Sequence, residues 1–389
     1  MHTSADADRI LTTHVGSLPR SQAVTDVLFA RDRGAVPASA APAADAVISD
    51  AVADVVRRQV AAGIDVVSDG EMSKISYATY IKDRLTGFAG DSPREPGQDL
   101  VEFPRILEKL AALGATAKYT RPRCVGEIRT RSLEPLRTDL ENLQRAASAA
   151  SPRPREAFMN AASPGVIALF QPNDFYPTQD AYLGALAGAM RAEYERIAAQ
   201  GILLQVDAPD LAMGRHTMYR DRSVEDFLEL AELHVEVLND ALRNVPPDRV
   251  RMHVCWGNYD GPHHHDVPLE RLLPIVFKVR AQGLLIEAAN PRHAHEWAVF
   301  REQKLPGDKV LIPGVVSTTT NYVEHPLLVA ERICRFADLV GRERVIAGTD
   351  CGFGTFAGFG PVDPDVAYLK LHALAEGARI ATERLWHRT

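Results

Sequence analysis

The sequence predicts an α/β fold, a (β/α)8 TIM barrel with a segment inserted near the barrel mouth. Three observations lead there. Short apolar runs recur along the chain and end in polar or small residues. Helical patterns lie between them, and strand–helix alternation implies a parallel sheet built through crossovers. Eight such runs in 389 residues suit one closed barrel better than an open sheet. No glycine-rich dinucleotide or phosphate fingerprint follows any run, which weakens a doubly wound reading.

The eight runs fall at residues 10–17, 64–71, 158–161, 202–207, 250–255, 283–287, 310–316 and 345–350. One helix is expected from Asp50, a suitable N-cap, through Val52, Val55, Val56 and Val60 to Gly63, a suitable C-cap. Another runs from Val329 through Ile333, Ala337 and Val340 to Gly341. Residues 35–46 are Ala/Pro-rich and read as a surface connection. Residues 84–155 are polar and repeatedly interrupted by proline. They read as an insertion of helices and a hairpin, with a strand-like run at 123–128. Residues 1–389 then form one domain around that insertion.

Bulk properties exclude several classes of function. The net charge of −7 and pI near 6.0 give no nucleic-acid footprint. No apolar stretch approaches the roughly 20 residues that span a bilayer, so no membrane partner is expected. Residues 1–8 carry no signal-peptide pattern. Four cysteines in so long a chain are not a disulfide framework. A cytoplasmic location follows as the default, with thiols free to bind metal.

In a barrel of this kind chemistry sits at the C-terminal ends of the strands. There the sequence places His14 and Ser17, Asp69 and Glu71, Asp207, His253 and Cys255, Glu287, and Asp350 and Cys351. His253 and Cys255 are two apart, so on a strand both face one side. An imidazole and two thiolates select Zn2+ over magnesium or calcium. His253, Cys255 and Cys351 are therefore candidate ligands, with Glu287 as the fourth. The bland alternative is a set of small buried hydrophobes, which suits Cys124 in the insertion and Cys334 in a helix. His263, His264 and His265 follow Gly261-Pro262 and read as a rim loop, one of them reaching substrate.

At these residues the chain resembles the catalytic barrel of cobalamin-independent methionine synthase, of a short single-barrel type. The resemblance runs through nearly the whole chain. Residues 12–20 look like the family's opening strand, which implies that Val15, Gly16 and Ser17 hold an amino-acid thiol. Glu71 of Asp69-Gly70-Glu71 matches a substrate-binding glutamate, and Asp207 matches the aspartate that binds the substrate's amino group. The resemblance casts Glu71 and Asp207 as catalytic as well as binding residues. His253, Cys255, Glu287 and Cys351 match the zinc ligands one by one. The family's catalytic histidine falls at Thr319, its folate-binding carboxylate at Met213 and its pterin-stacking tryptophan near Gln171. The thiol half of the site is thus retained and the folate half is replaced. Short relatives include the epoxyalkane:coenzyme M transferases, which open an epoxide with a thiolate.

The function expected is a zinc-dependent thiol alkyltransferase, most like a methionine synthase-type methyltransferase. A free thiol has a pKa of about 8.5, and a zinc ion lowers it and places the sulfur. The partners expected are a small-molecule thiol and an alkyl donor: a folate, an epoxide or a methyl-carrying corrinoid protein. A homo-oligomer is compatible with all of these. If the electrophile is an epoxide, Tyr322 or one of His263 to His265 is the candidate proton donor. The rivals are a zinc hydrolase, a metal-free decarboxylase-like barrel, and a non-catalytic barrel with a closed structural zinc site.

Overall fold

A computed structural model of the chain describes residues 1, 8–93, 95–112 and 118–386. Its ten strands are β1 (Leu11–Thr12), β2 (Val66–Ser68), β3 (Phe88–Ala89), β4 (Arg123–Cys124), β5 (Glu156–Ala162), β6 (Leu203–Asp207), β7 (Val250–His253), β8 (Gly283–Ile286), β9 (Val310–Val316) and β10 (Ile346–Thr349). All but β3 and β4 join one parallel sheet in the order β1-β10-β9-β8-β7-β6-β5-β2. This is the expected (β/α)8 barrel. The seam between β1 and β2 is closed by side chains as much as by backbone. Asp65 Oδ2 accepts from Thr12 N (2.9 Å) and Thr12 Oγ1 (3.0 Å). Thr13 Oγ1 donates to Val66 O (3.0 Å), and Asp65 N donates to Thr12 O (3.2 Å).

Each apolar run contains a strand, but the first two strands are much the shortest relative to their runs, two and three residues of eight. Their ends turn away at residues of positive φ: Gly16 (+138°), Gly70 (+66°) and Glu71 (+58°). Left-handed backbone cannot continue a strand, so the residues that carry chemistry sit on the loops just beyond.

One helix begins earlier than expected. It spans Ala41–Ala61, so Asp50 is interior and no N-cap, and only residues 35–40 connect. Pro42 lies in the first turn, where a missing N–H costs nothing, and alanine favours helix. The second helix spans Pro326–Val340, with Gly341 at its C-cap as expected.

Within residues 84–155, β3 and β4 form an antiparallel hairpin, followed by helix Glu134–Ala149. That helix packs on Ala41–Ala61 as an ordinary barrel helix. Helices Gln98–Val101 and Pro104–Ala112 lie between the hairpin strands. Residues 94 and 113–117 of this segment, like residues 2–7 of the N-terminal stretch, lie outside the described residues.

The barrel interior is filled by two apolar clusters, Leu11, Val15, Leu285, Val310, Ile312 and Ile346 on one side and Val66, Phe158 and Leu203 on the other. Among them lies a buried cation, Arg251, stacked 4.0 Å over the Phe158 ring and donating to Thr13 Oγ1 (2.8 Å) and His14 O (2.6 Å). The larger core joins sheet and helices. No helix among the described residues is long and apolar enough to cross a membrane.

Candidate metal and thiol site

Strand β7 ends at His253 and β10 at Thr349, so Cys255 and Cys351 each stand two residues from a strand end. The fold brings them together. The ligand atoms of His253, Cys255 and Cys351 lie within 4.8 Å of one another. Their sulfurs are 3.7 Å apart. That is far beyond the ~2.05 Å of a disulfide. Two thiolates each ~2.3 Å from zinc at a tetrahedral angle stand about 3.8 Å apart. Neither ring nitrogen of His253 finds an oxygen or nitrogen partner, although the residue is 3% exposed; its polar neighbour is the Cys351 thiol. Orphaned buried nitrogens call for a ligand. Donor chemistry, sulfur spacing and the idle imidazole all fit zinc.

The two thiols influence each other strongly. Cys351 is drawn down to about 6, chiefly by the S–H of Cys255 directed at it and then by His253. Cys255 is pushed up by the same contact and by burial. The Cys255 sulfur also accepts from Gly257 N (3.2 Å).

Glu287, just past β8, stands beside this group with both carboxylate oxygens engaged. Oε1 accepts from Trp256 N (2.9 Å). Oε2 accepts from Asn290 Nδ2 (2.7 Å) and Arg292 Nη2 (2.8 Å). Asp350, the other carboxylate at this rim, is used structurally: it accepts from the backbone N–H groups of Ala288, Ala289 and Asn290, each at 2.8 Å. His14 likewise serves the frame, with Nε2 on Gln59 Oε1 (2.7 Å) and burial holding its pKa near 4.

A cavity of about 50 Å3 opens onto His253, Cys255 and Cys351, and Val15, Ser17, Glu71 and Asp207 line it with them. Residues expected to hold the thiol's tail therefore converge beside the metal group. Gly16 lies between Val15 and Ser17, and its missing side chain makes room for Asn160: a Cβ there would come within 2.2 Å of Asn160 Oδ1. Burial, and to a lesser degree the nearby Asp207, raises Glu71 to about 8 against the pull of Lys74 and Arg20. Its Oε2 is buried without a hydrogen-bond partner. Asp207 is also raised by burial. A larger cavity of about 380 Å3 lies elsewhere, under helix Glu134–Ala149, but its charges already pair as Lys82–Asp32 and Arg84–Asp139.

Several site residues went unnoticed in the sequence. Asn160 and Gln205 are polar residues inside apolar strands. Their amides hold Asp207, Asn160 Nδ2 on Oδ2 (2.8 Å) and Gln205 Nε2 on Oδ1 (2.9 Å), and both also donate to Val15 O. A lone amide in an apolar run was the signal available. Lys74 Nζ, buried, donates to Asn160 O. Tyr77, Asn258 and Thr355 line the cavity from loops that carry no motif.

Met213 lines the cavity as well. Thr319 sits on the loop after β9, its Oγ1 3.3 Å from Ser317 Oγ, and its neighbour Thr318 donates to Asn258 Oδ1 (2.8 Å). The rim histidines divide. His264 and His265 are partly exposed and grip Glu102 at 2.8 and 2.6 Å, while His263 is buried. Tyr322 is 83% exposed and faces solvent.

Residues 10–94 and 170–359 match the family model described as the catalytic domain of cobalamin-independent synthase. Curated methionine synthases of Saccharolobus solfataricus and Sulfolobus acidocaldarius are each 24% identical. The matches cover 96% of this chain and 95% and 93% of theirs. A B12-independent methionine synthase from Shewanella sp. W3-18-1, solved with selenomethionine, has the same fold. Its TM-score is 0.70 at 17% identity, over 98% of this chain and 100% of that one. A putative vitamin-B12 independent methionine synthase from Listeria monocytogenes follows at 0.64 and 17%, over 96% and 98%. With most of its length matched to that model and the candidate ligand and cavity residues gathered at one barrel mouth, the chain belongs to the cobalamin-independent methionine synthase family, in its catalytic domain.

Proposed function

We propose that this chain is a zinc-dependent methyltransferase that alkylates the sulfur of homocysteine or a close amino-acid thiol. One observation carries the reading: His253, Cys255 and Cys351 open onto a cavity whose other walls include two buried carboxylates, Glu71 and Asp207. His253, Cys255 and Cys351 would hold the zinc; Glu287, whose oxygens are engaged by Trp256 N, Asn290 and Arg292, would have to exchange those partners to join them. Zinc in such a site acidifies a thiol and fixes its sulfur. The chain's own residues then do the sorting. Glu71 and Asp207 receive an ammonium group, and the amides of Asn160 and Gln205 keep Asp207 aimed. Ser17 and the turn at Gly16 border the rest of the tail. Water is kept from the sulfur by the buried Val15 and Cys255 walls.

The two carboxylates decide between thiols. An ammonium is attracted by Asp207 and by Glu71 once its proton leaves, while a sulfonate is repelled by Asp207, so homocysteine is favoured over coenzyme M and the methyltransferase reading over epoxide opening. Three protein ligands beside a cavity also suit a catalytic zinc better than a closed structural one. By the resemblance Met213 stands where the family's folate-binding carboxylate would be, which leaves the alkyl donor open among folate, corrinoid and epoxide chemistries.

The test is cobalt substitution followed by thiol titration. Homocysteine should shift the sulfur-to-cobalt charge-transfer band at lower concentration than coenzyme M, and C351S should abolish both band and methyl transfer. A band indifferent to every thiol, with turnover intact in C351S, would sink the reading.

A further inference from the structure

Where the loop beyond Cys255 meets the loop after β6 a second group of side chains converges: His216, His263 and Asp266, with ligand atoms within 4.8 Å of one another. His216 is 1% exposed and His263 4%. The protons of the two rings can be placed from their neighbours. Tyr259 Oη donates to Asp99 Oδ2 (2.7 Å). It therefore turns a lone pair toward His216 Nε2, 3.3 Å away, and Nε2 carries the proton. His263 Nε2 lies 3.2 Å from Tyr259 O, which only accepts, so the proton is on Nε2 there too. In a neutral imidazole the other nitrogen is a bare lone pair.

Both bare nitrogens face one carboxylate. His216 Nδ1 lies 3.4 Å from Asp266 Oδ1, and His263 Nδ1 lies 3.2 Å from each Asp266 oxygen. Lone pairs directed at a buried carboxylate repel, and His216 Nδ1 and Asp99 Oδ1 have no hydrogen-bond partner. A cation among them resolves the conflict. A proton on Nδ1 would draw the ion pair to about 2.7–2.9 Å, shorter than observed. A nitrogen and an oxygen each ~2.0–2.2 Å from a tetrahedral zinc stand about 3.4 Å apart. Nε2–H groups committed to a carbonyl and a hydroxyl are the outer contacts that fix the tautomer of metal-binding histidines. His263 is also held at φ +54°, its N–H on Asp99 Oδ2 (3.0 Å), a strained conformation that its surroundings impose. Arg292 (3.5 Å) and His293 (3.2 Å) approach Asp266 Oδ2 and balance part of its charge, but Oδ1 is left to the two imidazoles.

We propose that His216, His263 and Asp266 form a second site, for a borderline divalent cation of the zinc class, distinct from that of His253, Cys255 and Cys351. Filled, it fastens the 213–216 and 257–266 loops to each other beside the barrel mouth. Arg292 links it to the first site, reaching Asp266 with one nitrogen and Glu287 with the other.

Zinc counted on the purified, zinc-saturated chain tests this. The wild type should hold two ions, C255S/C351S one, and H216A or D266N one. Cobalt added to C255S/C351S should give saturable d–d absorption with no sulfur-to-cobalt band, and that signal should vanish when H263A is added. The double cysteine variant keeps the second site intact, so the test stands even if H216A fails to fold. A wild type saturating at one zinc, or C255S/C351S that takes up no cobalt, overturns the proposal.

Discussion

At residue 16 a side chain has nowhere to go. A Cβ there would lie 2.2 Å from Asn160 Oδ1, and the backbone sits at φ +138°. Asn160 cannot retreat, because its amide is bonded to Asp207 and to Val15 O. Gly16→Ala should therefore cost about 1–3 kcal/mol of stability. Urea unfolding should show that loss, and KM for the thiol should rise because Asp207 is displaced with the amide. Glu71 makes a different prediction. Its pKa, raised to about 8 by burial, means the empty site holds a proton at neutral pH that the unfolded chain has released. The stability this gives is complete below the ordinary carboxylate pKa and is lost as pH rises through 8. An ammonium entering the site reverses the balance and expels the proton. Calorimetry of homocysteine binding at pH 7 in buffers of different ionisation enthalpy should report more proton release from the wild type than from Glu71→Gln, which gives up only the proton of the thiol itself. Equal signals from both proteins would remove Glu71 from the amine pocket.

Among the elements, the eight strands were legible because each is an apolar run closed by polar residues. The site residues at their ends were legible for the same reason: a buried strand gains nothing from an unpaired polar terminus. Helix Ala41–Ala61 was misjudged at its start, where Pro42 reads as a breaker but is harmless in a first turn. Asn160, Gln205 and Lys74 escaped because their partners are distant in sequence and nothing local marks them. Arg251 escaped because a charge in a strand is normally taken to face solvent, and here the Phe158 ring and two oxygens accept it inside the barrel. The helix Val224–Ala241 shows a cap with no share in the chemistry. Ser223 and Asp226 form a reciprocal capping box, while His234 further along bonds Asp210 (2.9 Å). Ser223→Ala should lower unfolding free energy by about 1 kcal/mol, read by thermal melting, with KM for the thiol unchanged. A changed KM would mean that the helix start reaches the site through Asp210.

For the molecule as a whole, the seam between β1 and β2 sets how the ring behaves. Elsewhere the barrel is joined by parallel backbone ladders, interrupted by a register shift between β9 and β10, but here Asp65 acts as a clasp, bonded to Thr12 on the facing strand and to Arg9 before it. Asp65→Asn should loosen this seam first and leave the other strand pairs protected, which amide hydrogen exchange resolves strand by strand. The strand on the loose side leads directly into Val15, Gly16 and Ser17, while its ladder to β10 leads toward Cys351. A thiol whose tail touches both Ser17, beyond β1, and Glu71, beyond β2, spans the same join that the clasp closes. Ligand binding and ring closure become one equilibrium, and a saturating thiol should restore slow exchange to the Asp65→Asn seam, making the substrate a second fastener for the barrel that binds it.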